Sequence, residues 1–141
     1  MPAWTPQQSI RAECDRRGKS AVVAGCIDLL SGREVDPTLI HALGGAPAKW
    51  AVEGGDPGPP YWLRVWAARG LLWAWDDEAL PAVMRALNDD AWRVREMALK
   101  VVARQLLDAA LPAISDLHTD PNARVRRAAE RAADRLARAD A

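Results

Sequence analysis

The sequence predicts an all-α protein built from about four stacked pairs of helices, and three observations support this prediction. The chain of 141 residues repeats its own pattern at a spacing of 31 residues. All nine glycines lie at or before Gly70, so the second half consists mostly of good helix formers. Apolar residues recur there at the helical i, i+3, i+4, i+7 spacing. Neither helix of such a pair can bury its apolar stripe alone, so neighbouring pairs must stack.

The 31-residue spacing relates three segments of the chain. Residues 79–82 and 110–113 both read Ala-Leu-Pro-Ala, and residues 93–95 and 124–126 both read Arg-Val-Arg. Further matches at this spacing are Asp89 with Asp120, Ala98 with Ala129, Arg104 with Arg135, and Leu63-Arg64 with Val94-Arg95. Three segments that share one period and one pattern indicate an internal repeat.

The first predicted helix begins at a capping box. Thr5 is followed by Pro6 and, three residues after the threonine, by Gln8, and this helix extends to about Arg17, where Gly18 ends it. The backbone N–H groups of the first helical turn have no partner within the helix, so a proline, which lacks this N–H, is tolerated there. The pattern therefore favours a helix start.

The next units follow the plan less regularly. A second helix is predicted within residues 19–32, and Asp36 caps a short helix over residues 38–43. The partner of that short helix is residues 61–75. The intervening residues 44–60 hold five glycines and four prolines, which indicates a long irregular connection. Loops of this length are usually functional or mobile.

The third and fourth units each consist of two predicted helices that begin at acidic or amide residues. In the third unit the helices are capped at residues 76–77 and 88–90. In the fourth, Asp108 begins the first helix and Asp120-Pro121 caps the second, which frays after Leu136. We therefore predict a single domain over residues 1–141, with repeats at about 6–31, 37–75, 77–107 and 109–137.

Composition excludes several classes of protein. Because 19 Lys and Arg residues balance 19 Asp and Glu residues, bulk charge does not identify a partner. No stretch approaches the roughly 18 to 20 apolar residues of a membrane span, and no signal peptide is visible. Cys14 and Cys26 form no C-x-x-C pair; a disulfide between them is one alternative, and reduced thiols are the expected state. We expect a cytoplasmic protein that binds no metal or other cofactor.

The repeated pattern of Leu-Pro-Ala, Asp, Arg-Val-Arg and a spaced Ala resembles the HEAT repeat in its short bacterial, lyase-type form. The residues that carry the resemblance are Leu80-Pro81-Ala82, Asp89, Arg93-Val94-Arg95 and Ala98, together with Leu111-Pro112-Ala113, Asp120, Arg124-Val125-Arg126 and Ala129. Residues 61–75 resemble the second helix of a repeat, and residues 1–60 match loosely. The resemblance implies a right-handed α-α superhelix (solenoid) of about four HEAT-like helical pairs, with the second helices along its concave side. It also implies that Asp89 with Arg95, and Asp120 with Arg126, link adjacent repeats.

Positions i, i+4, i+7 and i+11 of the second helices share one side, and stacking aligns them between repeats. The resulting ladders are Trp62-Arg93-Arg124, Arg69-Lys100-Arg131 and Trp73-Arg104-Arg135, while a further column, Trp66-Met97-Ala128, leans toward the core. If the second helices line the concave side, that side is aromatic at one end and basic at the other. We take these nine ladder residues and Trp50 of the long connection as candidate partner-binding residues.

A simpler interpretation of the same residues stays open. Arginine and lysine stems cover alanine-rich helices while their charges remain solvated, and the tryptophans fill the core. Under that interpretation Trp50 pins the long connection to the domain.

The leading functional hypothesis is a non-enzymatic module that holds a protein or peptide partner on its concave surface, because cations and tryptophans are enriched in binding hot spots. The alternative is nucleic-acid binding, as in the HEAT-like alkylpurine DNA glycosylases. Zero net charge and the lack of an alignable catalytic motif argue against it. A chromophore-lyase role, suggested by the name of the repeat type, has no support from the loops.

No residue is predicted to be catalytic or to bind a metal. His41 and His118 occupy different positions in their repeats and lack a patterned acidic or cysteine neighbour. The sequence contains no phosphate-binding loop, dinucleotide fingerprint or H-E-x-x-H motif.

Overall fold

The computed structural model describes residues 4–140, and every regular element within that range is a helix. The α-helices there are α1 (Pro6–Arg17), α2 (Lys19–Leu30), α3 (Pro37–Gly44), α4 (Trp50–Glu53), α5 (Tyr61–Trp73), α6 (Leu80–Ala86), α7 (Trp92–Gln105), α8 (Leu111–Leu117) and α9 (Ala123–Ala139). Short 3-10 turns precede three of them, at Ala46–Ala48, Asp77–Ala79 and Asp108–Ala110. The predicted all-α fold class is confirmed.

Helices α2, α5, α7 and α9 pack side by side in chain order and form a layer that we call the inner row. Four other helices pair with them, α1 with α2, α3 with α5, α6 with α7 and α8 with α9. Apolar side chains from successive pairs meet in one continuous core that includes Leu71, Leu99 and Leu136. Helical pairs stacked in this way form an α-α solenoid, because each pair buries its apolar face against the next.

Local sequence accounts for the helix starts in the N-terminal half. Thr5 and Gln8 form both hydrogen bonds of the predicted capping box, and Gly18 follows α1 with a φ of 94°. Asp36 accepts a hydrogen bond from the backbone N–H of Thr38 and so caps α3. These short polar side chains satisfy N–H groups that have no partner within the helix.

Three predicted helix caps or ends are wrong. Helix α7 has Ala91 as its N-cap, without a side-chain cap, so residues 88–90 do not cap it as predicted. Asn122, not Asp120-Pro121, caps α9, since its side chain accepts from the N–H of Arg124. The carboxylate of Asp120 instead binds an arginine of the preceding repeat. Helix α9 also continues to Ala139 rather than fraying after Leu136, because Leu136 is buried against the core and Arg138 in the last turn complements the helix dipole.

Two helical glycines permit close packing around α5. A Cβ atom at Gly44 would lie 2.8 Å from ring carbons of Trp66, and one at Gly70 would lie 2.7 Å from the Leu43 Cδ2. No larger residue fits either position unless its neighbours move. Helix α3 therefore lies directly against α5, and the connection between them passes beside the Trp66 ring.

Arginine and aspartate side chains link successive repeats in what we call the Arg–Asp interlock. The Nε atom of Arg64 lies 2.7 Å from Asp89 Oδ2, and that of Arg95 lies 2.9 Å from Asp120 Oδ2. Each pair has a second guanidinium–carboxylate hydrogen bond, which makes it bidentate.

The interlock continues within each repeat. Arg95 and Arg126 each donate from Nη1 to the backbone oxygen of the aspartate six residues earlier, Asp89 and Asp120, at 2.7 Å. The predicted link between repeats is confirmed for Asp89, Arg95 and Asp120, but each aspartate carboxylate binds the arginine of the preceding repeat. The arginine six residues later binds the aspartate backbone. The predicted link is wrong for Arg126, whose hydrogen bonds are to the backbone oxygens of Asp120 and Pro121 in its own repeat.

Replacing Asp120 with alanine is expected to lower the free energy of unfolding by about 2 to 4 kcal/mol, because Arg95 then loses its carboxylate in a largely buried pair. Urea unfolding followed by circular dichroism measures this loss. The matched control is Asp134→Ala, an exposed carboxylate without an ion pair to another described residue, which should lose less than about 0.5 kcal/mol. Equal losses in the two variants would contradict the interlock.

Acid should weaken the same link. Burial opposes ionisation of Asp120, but hydrogen bonds from Arg95 and Asn122 outweigh it and lower the pKa of the carboxyl. Because the folded-state pKa lies below the unfolded value of about 3.9, the stabilisation is complete above that pH and is lost as pH falls through the folded-state pKa. Asp120→Asn should therefore lose less stability than the wild type on acidification below about pH 4. Urea unfolding over a pH series tests this, and parallel profiles would refute it.

Candidate functional site: a basic groove along the inner row

A groove lined by positive charge runs between α7 and α9. Its volume is about 400 Å³, and we call it the basic groove. Leu99, Ala103 and Ala128 contribute its apolar lining. Its charged lining consists of Lys100, Arg104, Arg131, Arg135 and Arg138. None of the described residues that line it is acidic.

Helical spacing places these cations on facing sides of two helices. Lys100 and Arg104 are four residues apart on α7, and Arg131, Arg135 and Arg138 follow the i, i+4, i+7 spacing on α9. The small side chains of Ala103 and Ala128 leave room between the two rows of charge. Sequence reasoning missed Arg138, although its position three residues after Arg135 continues the same stripe.

Most of these cations have no partner of opposite charge. Lys100, Arg131, Arg135 and Arg138 are exposed and form no ion pair with another described residue. Repulsion among these like charges is therefore not offset by an ion pair with another described residue. The groove is therefore a concentrated positive region on a chain whose formal net charge is zero.

An aromatic cluster lies where the first turns of α5 and α7 meet, and it is formed by Tyr61, Trp62 and Trp92 around Arg93. The guanidinium carbon of Arg93 lies 4.4 Å from the ring centroid of Trp92, 5.5 Å from that of Trp62 and 5.7 Å from that of Tyr61. All three distances fall within the range of cation–π attraction. Trp62 also stacks on Trp66, with centroids 6.3 Å apart.

Arg124 completes the first ladder and is likewise engaged within the protein. Its Nε donates to Glu96 Oε2 at 2.9 Å, and its guanidinium lies 5.3 Å from the Trp92 centroid. Glu96 is itself buried, at 7% exposure. The cations of the Trp62-Arg93-Arg124 ladder thus bind aromatic faces and a carboxylate of the chain itself.

Arg104 belongs both to the groove and to the packing of α7 on α5. Its guanidinium lies 4.1 Å from the Trp73 centroid, and its Nε donates to the backbone oxygen of Leu72 at 2.7 Å. The neighbouring Gln105 donates to the oxygens of Leu71 and Leu72. These contacts satisfy carbonyls at the C-terminal end of α5, where positive charge is favourable.

Two further predicted partner-binding residues, Arg69 and Trp50, belong to neither the basic groove nor the aromatic cluster. Arg69 is half-buried, donates from Nη2 to the backbone oxygen of Leu43 at 2.7 Å, and has its pKa lowered by burial. Its Nε atom is buried without a hydrogen-bond partner among the described residues. Trp50 on α4 packs against the core, and its indole nitrogen is also buried without such a partner.

The ten predicted residues therefore separate into groups. Lys100, Arg104, Arg131 and Arg135 line the basic groove. Trp62 and Arg93 belong to the aromatic cluster, and Arg124 lies beside it against Trp92. Trp73 contacts Arg104, which lines the groove. Arg69 and Trp50 lie beside the long connection.

Groups with catalytic or metal-binding potential do not converge in the described residues. No set of three or more His, Cys, Asp or Glu side chains within residues 4–140 could hold a metal ion. His118 contacts the backbone oxygen of Ile114 through Nδ1 at 2.8 Å. Cys14 and Cys26 are free thiols, and burial raises the pKa of Cys26 to about 12. No helix in this range is long and apolar enough to span a membrane.

We expect substitution of two arginines of the groove to lower the free energy of unfolding by different amounts. Arg104→Met should lower the free energy of unfolding by about 1 to 2 kcal/mol, because it removes the contact with Trp73 and the hydrogen bond to Leu72. Arg135→Met removes no ion pair and should change stability by less than about 0.5 kcal/mol. Urea unfolding of both variants compares them directly, and a larger loss for Arg135→Met would reverse these roles.

Comparison with known proteins agrees with this architecture. The family model described as HEAT repeats matches residues 56–134, which include α5 to α8 and most of α9. No curated protein and no solved structure matches the chain significantly. The matched segment is 79 of 141 residues, from 56 to 134 inclusive, and the chain therefore belongs to the HEAT-repeat family.

Proposed function

We propose that this chain is a non-enzymatic interaction module that binds an acidic segment of a protein partner in the basic groove. HEAT repeats are commonly protein-interaction modules, which supports the general class. The observation that carries the finer proposal is the convergence of five cations, without a lining carboxylate, around a volume of about 400 Å³.

Charge complementarity explains why the partner segment should be acidic. Aspartate and glutamate side chains would relieve repulsion among Lys100, Arg131, Arg135 and Arg138 and form bidentate pairs with the arginines. The apolar lining formed by Leu99, Ala103 and Ala128 offers contact area between these charges. Such an arrangement supplies both electrostatic steering and a surface that excludes water.

The tryptophans support a protein partner over a nucleic acid. Single-stranded nucleic acids bind where aromatic faces are free to stack on successive bases. Here Arg93 lies against Trp62 and Trp92, and Arg104 lies against Trp73. These faces are already in contact with the chain's own guanidinium groups, so base stacking would require breaking those contacts first.

Binding of a fluorescein-labelled deca-glutamate peptide, measured by fluorescence anisotropy, tests the proposal. The doubly charge-reversed variant Arg131→Glu/Arg135→Glu should bind at least about tenfold more weakly, since two charge-assisted contacts become repulsive. The matched control is Arg11→Glu/Arg127→Glu, which changes net charge equally at exposed positions outside the groove. Equal weakening in both variants would show that net charge alone attracts the peptide.

Affinity capture from the native host's lysate, with nuclease added to half of each sample, separates the two classes of partner. A protein recovered with and without nuclease, retained by the control variant and lost with the groove variant, supports the proposal. Recovery that disappears after nuclease treatment, or tighter binding of an oligothymidine than of the acidic peptide, would overturn it in favour of nucleic-acid binding.

A further inference from the structure

A second cavity, separate from the basic groove, lies between the long connection and α5. Its volume is about 470 Å³, within the range of roughly 300 to 1,000 Å³ that small-molecule sites occupy. We call it the loop pocket, and we propose that it binds a small organic acid with an apolar body and a single negative charge. The residues that argue for this ligand are Trp62, Trp66, Arg69, Asp56, Pro57 and Pro59.

The apolar part of the pocket is aromatic and largely fixed. Trp66 is buried at 5% exposure, and Trp62 stacks on it at 6.3 Å. The absence of a Cβ at Gly44 lets the Trp66 ring lie against α3. Pro57 and Pro59 contribute rigid apolar surface from the connection. Stacked indoles and proline rings suit a flat or compact hydrocarbon group.

The polar part of the pocket includes a guanidinium without an ion-pair partner among the described residues. Arg69 lines the cavity but forms no ion pair with another described residue, and its bond to the Leu43 oxygen satisfies one N–H. Its Nε atom is buried without an acceptor. Burial lowers the pKa of Arg69, which reflects an incompletely solvated charge. A carboxylate in the pocket would supply both the acceptor and the opposite charge.

A second charged side chain of the pocket, Asp56, limits the ligand to one negative group. Asp56 also lines the pocket, and its carboxylate accepts a hydrogen bond from the N–H of Gly58, which shapes the turn there. A second carboxylate on the ligand would meet this negative charge. The combination of Arg69, Asp56 and the two indoles therefore selects a monocarboxylate over a dicarboxylate or a phosphate.

Two probes that differ in charge alone test the proposal on the unchanged protein. Phenylacetate and its neutral amide, phenylacetamide, are titrated into ¹⁵N-labelled protein, and the indole N–H resonances of Trp62 and Trp66 are followed by NMR. Phenylacetate should bind with a Kd on the order of 1 mM, ordinary for so small a ligand. The amide should bind on the order of tenfold more weakly, because it forms no charge-assisted bond to Arg69. Equal binding of the two probes, or no shift of either indole, would overturn the proposal.

A substitution tests whether Arg69 is the source of the preference for phenylacetate over phenylacetamide. Arg69→Met keeps the apolar length of the side chain and should abolish the preference for phenylacetate, while Arg127→Met, outside every part of the pocket, should retain it. A preference that survives in a folded Arg69→Met protein would place the anion elsewhere. If that variant does not fold, the comparison of the two probes on the wild type still decides. Phenylacetate binding that is lost in Arg131→Glu/Arg135→Glu and kept in Arg69→Met would assign it to the basic groove instead.

Discussion

The bidentate contact between an arginine of one repeat and an aspartate of the next sets the geometry on which the surface depends. Arg95 binds the carboxylate of Asp120 and, at the same time, the backbone oxygen of Asp89. One guanidinium thus fixes the turn before α7 relative to the turn before α9. Because both helices begin at these turns, the contact fixes their register. Lys100 and Arg104 face Arg131 and Arg135 across the groove because the starts of the two helices are held in this register.

The repeated part of the chain could be predicted because its sequence period equals its structural period. A shift of 31 residues relates Arg93 to Arg124 and Arg104 to Arg135. Because the repeats stack, residues related by this shift lie next to each other in adjacent repeats. Helical spacing then assigns these residues to one side of the inner row. Four of the five cations that line the basic groove follow from these two regularities, and the fifth, Arg138, lies one step beyond the last ladder position.

The remaining features depend on contacts that have no counterpart at the 31-residue spacing. Arg69 occupies a ladder position, yet it binds the Leu43 oxygen at the end of α3, and α3 leads into a connection that the later repeats lack. Composition predicts that residues 44–60 are irregular, but not where they pack. The loop pocket forms where that connection meets Trp62 and Trp66. The sequence repeat therefore does not predict it, and the packing of the folded chain is needed to locate it.

The order of residues along the ladders explains why the arginines between α5 and α7 find partners within the chain, while most cations between α7 and α9 do not. Helix α5 presents Trp62 and Trp73 to the arginines of α7, and each of those arginines finds an aromatic face. Helix α7 in turn presents Lys100 and Arg104 to α9, so Arg131 and Arg135 meet like charge. Arg124 escapes this because Glu96 and Trp92 lie beside it. The Trp73-Arg104-Arg135 ladder thus has a stabilised contact between α5 and α7 and an uncompensated one between α7 and α9. Because the interlock holds α9 against α7 despite this repulsion, the positive charge stays concentrated, and the proposed binding of an acidic segment depends on that concentration.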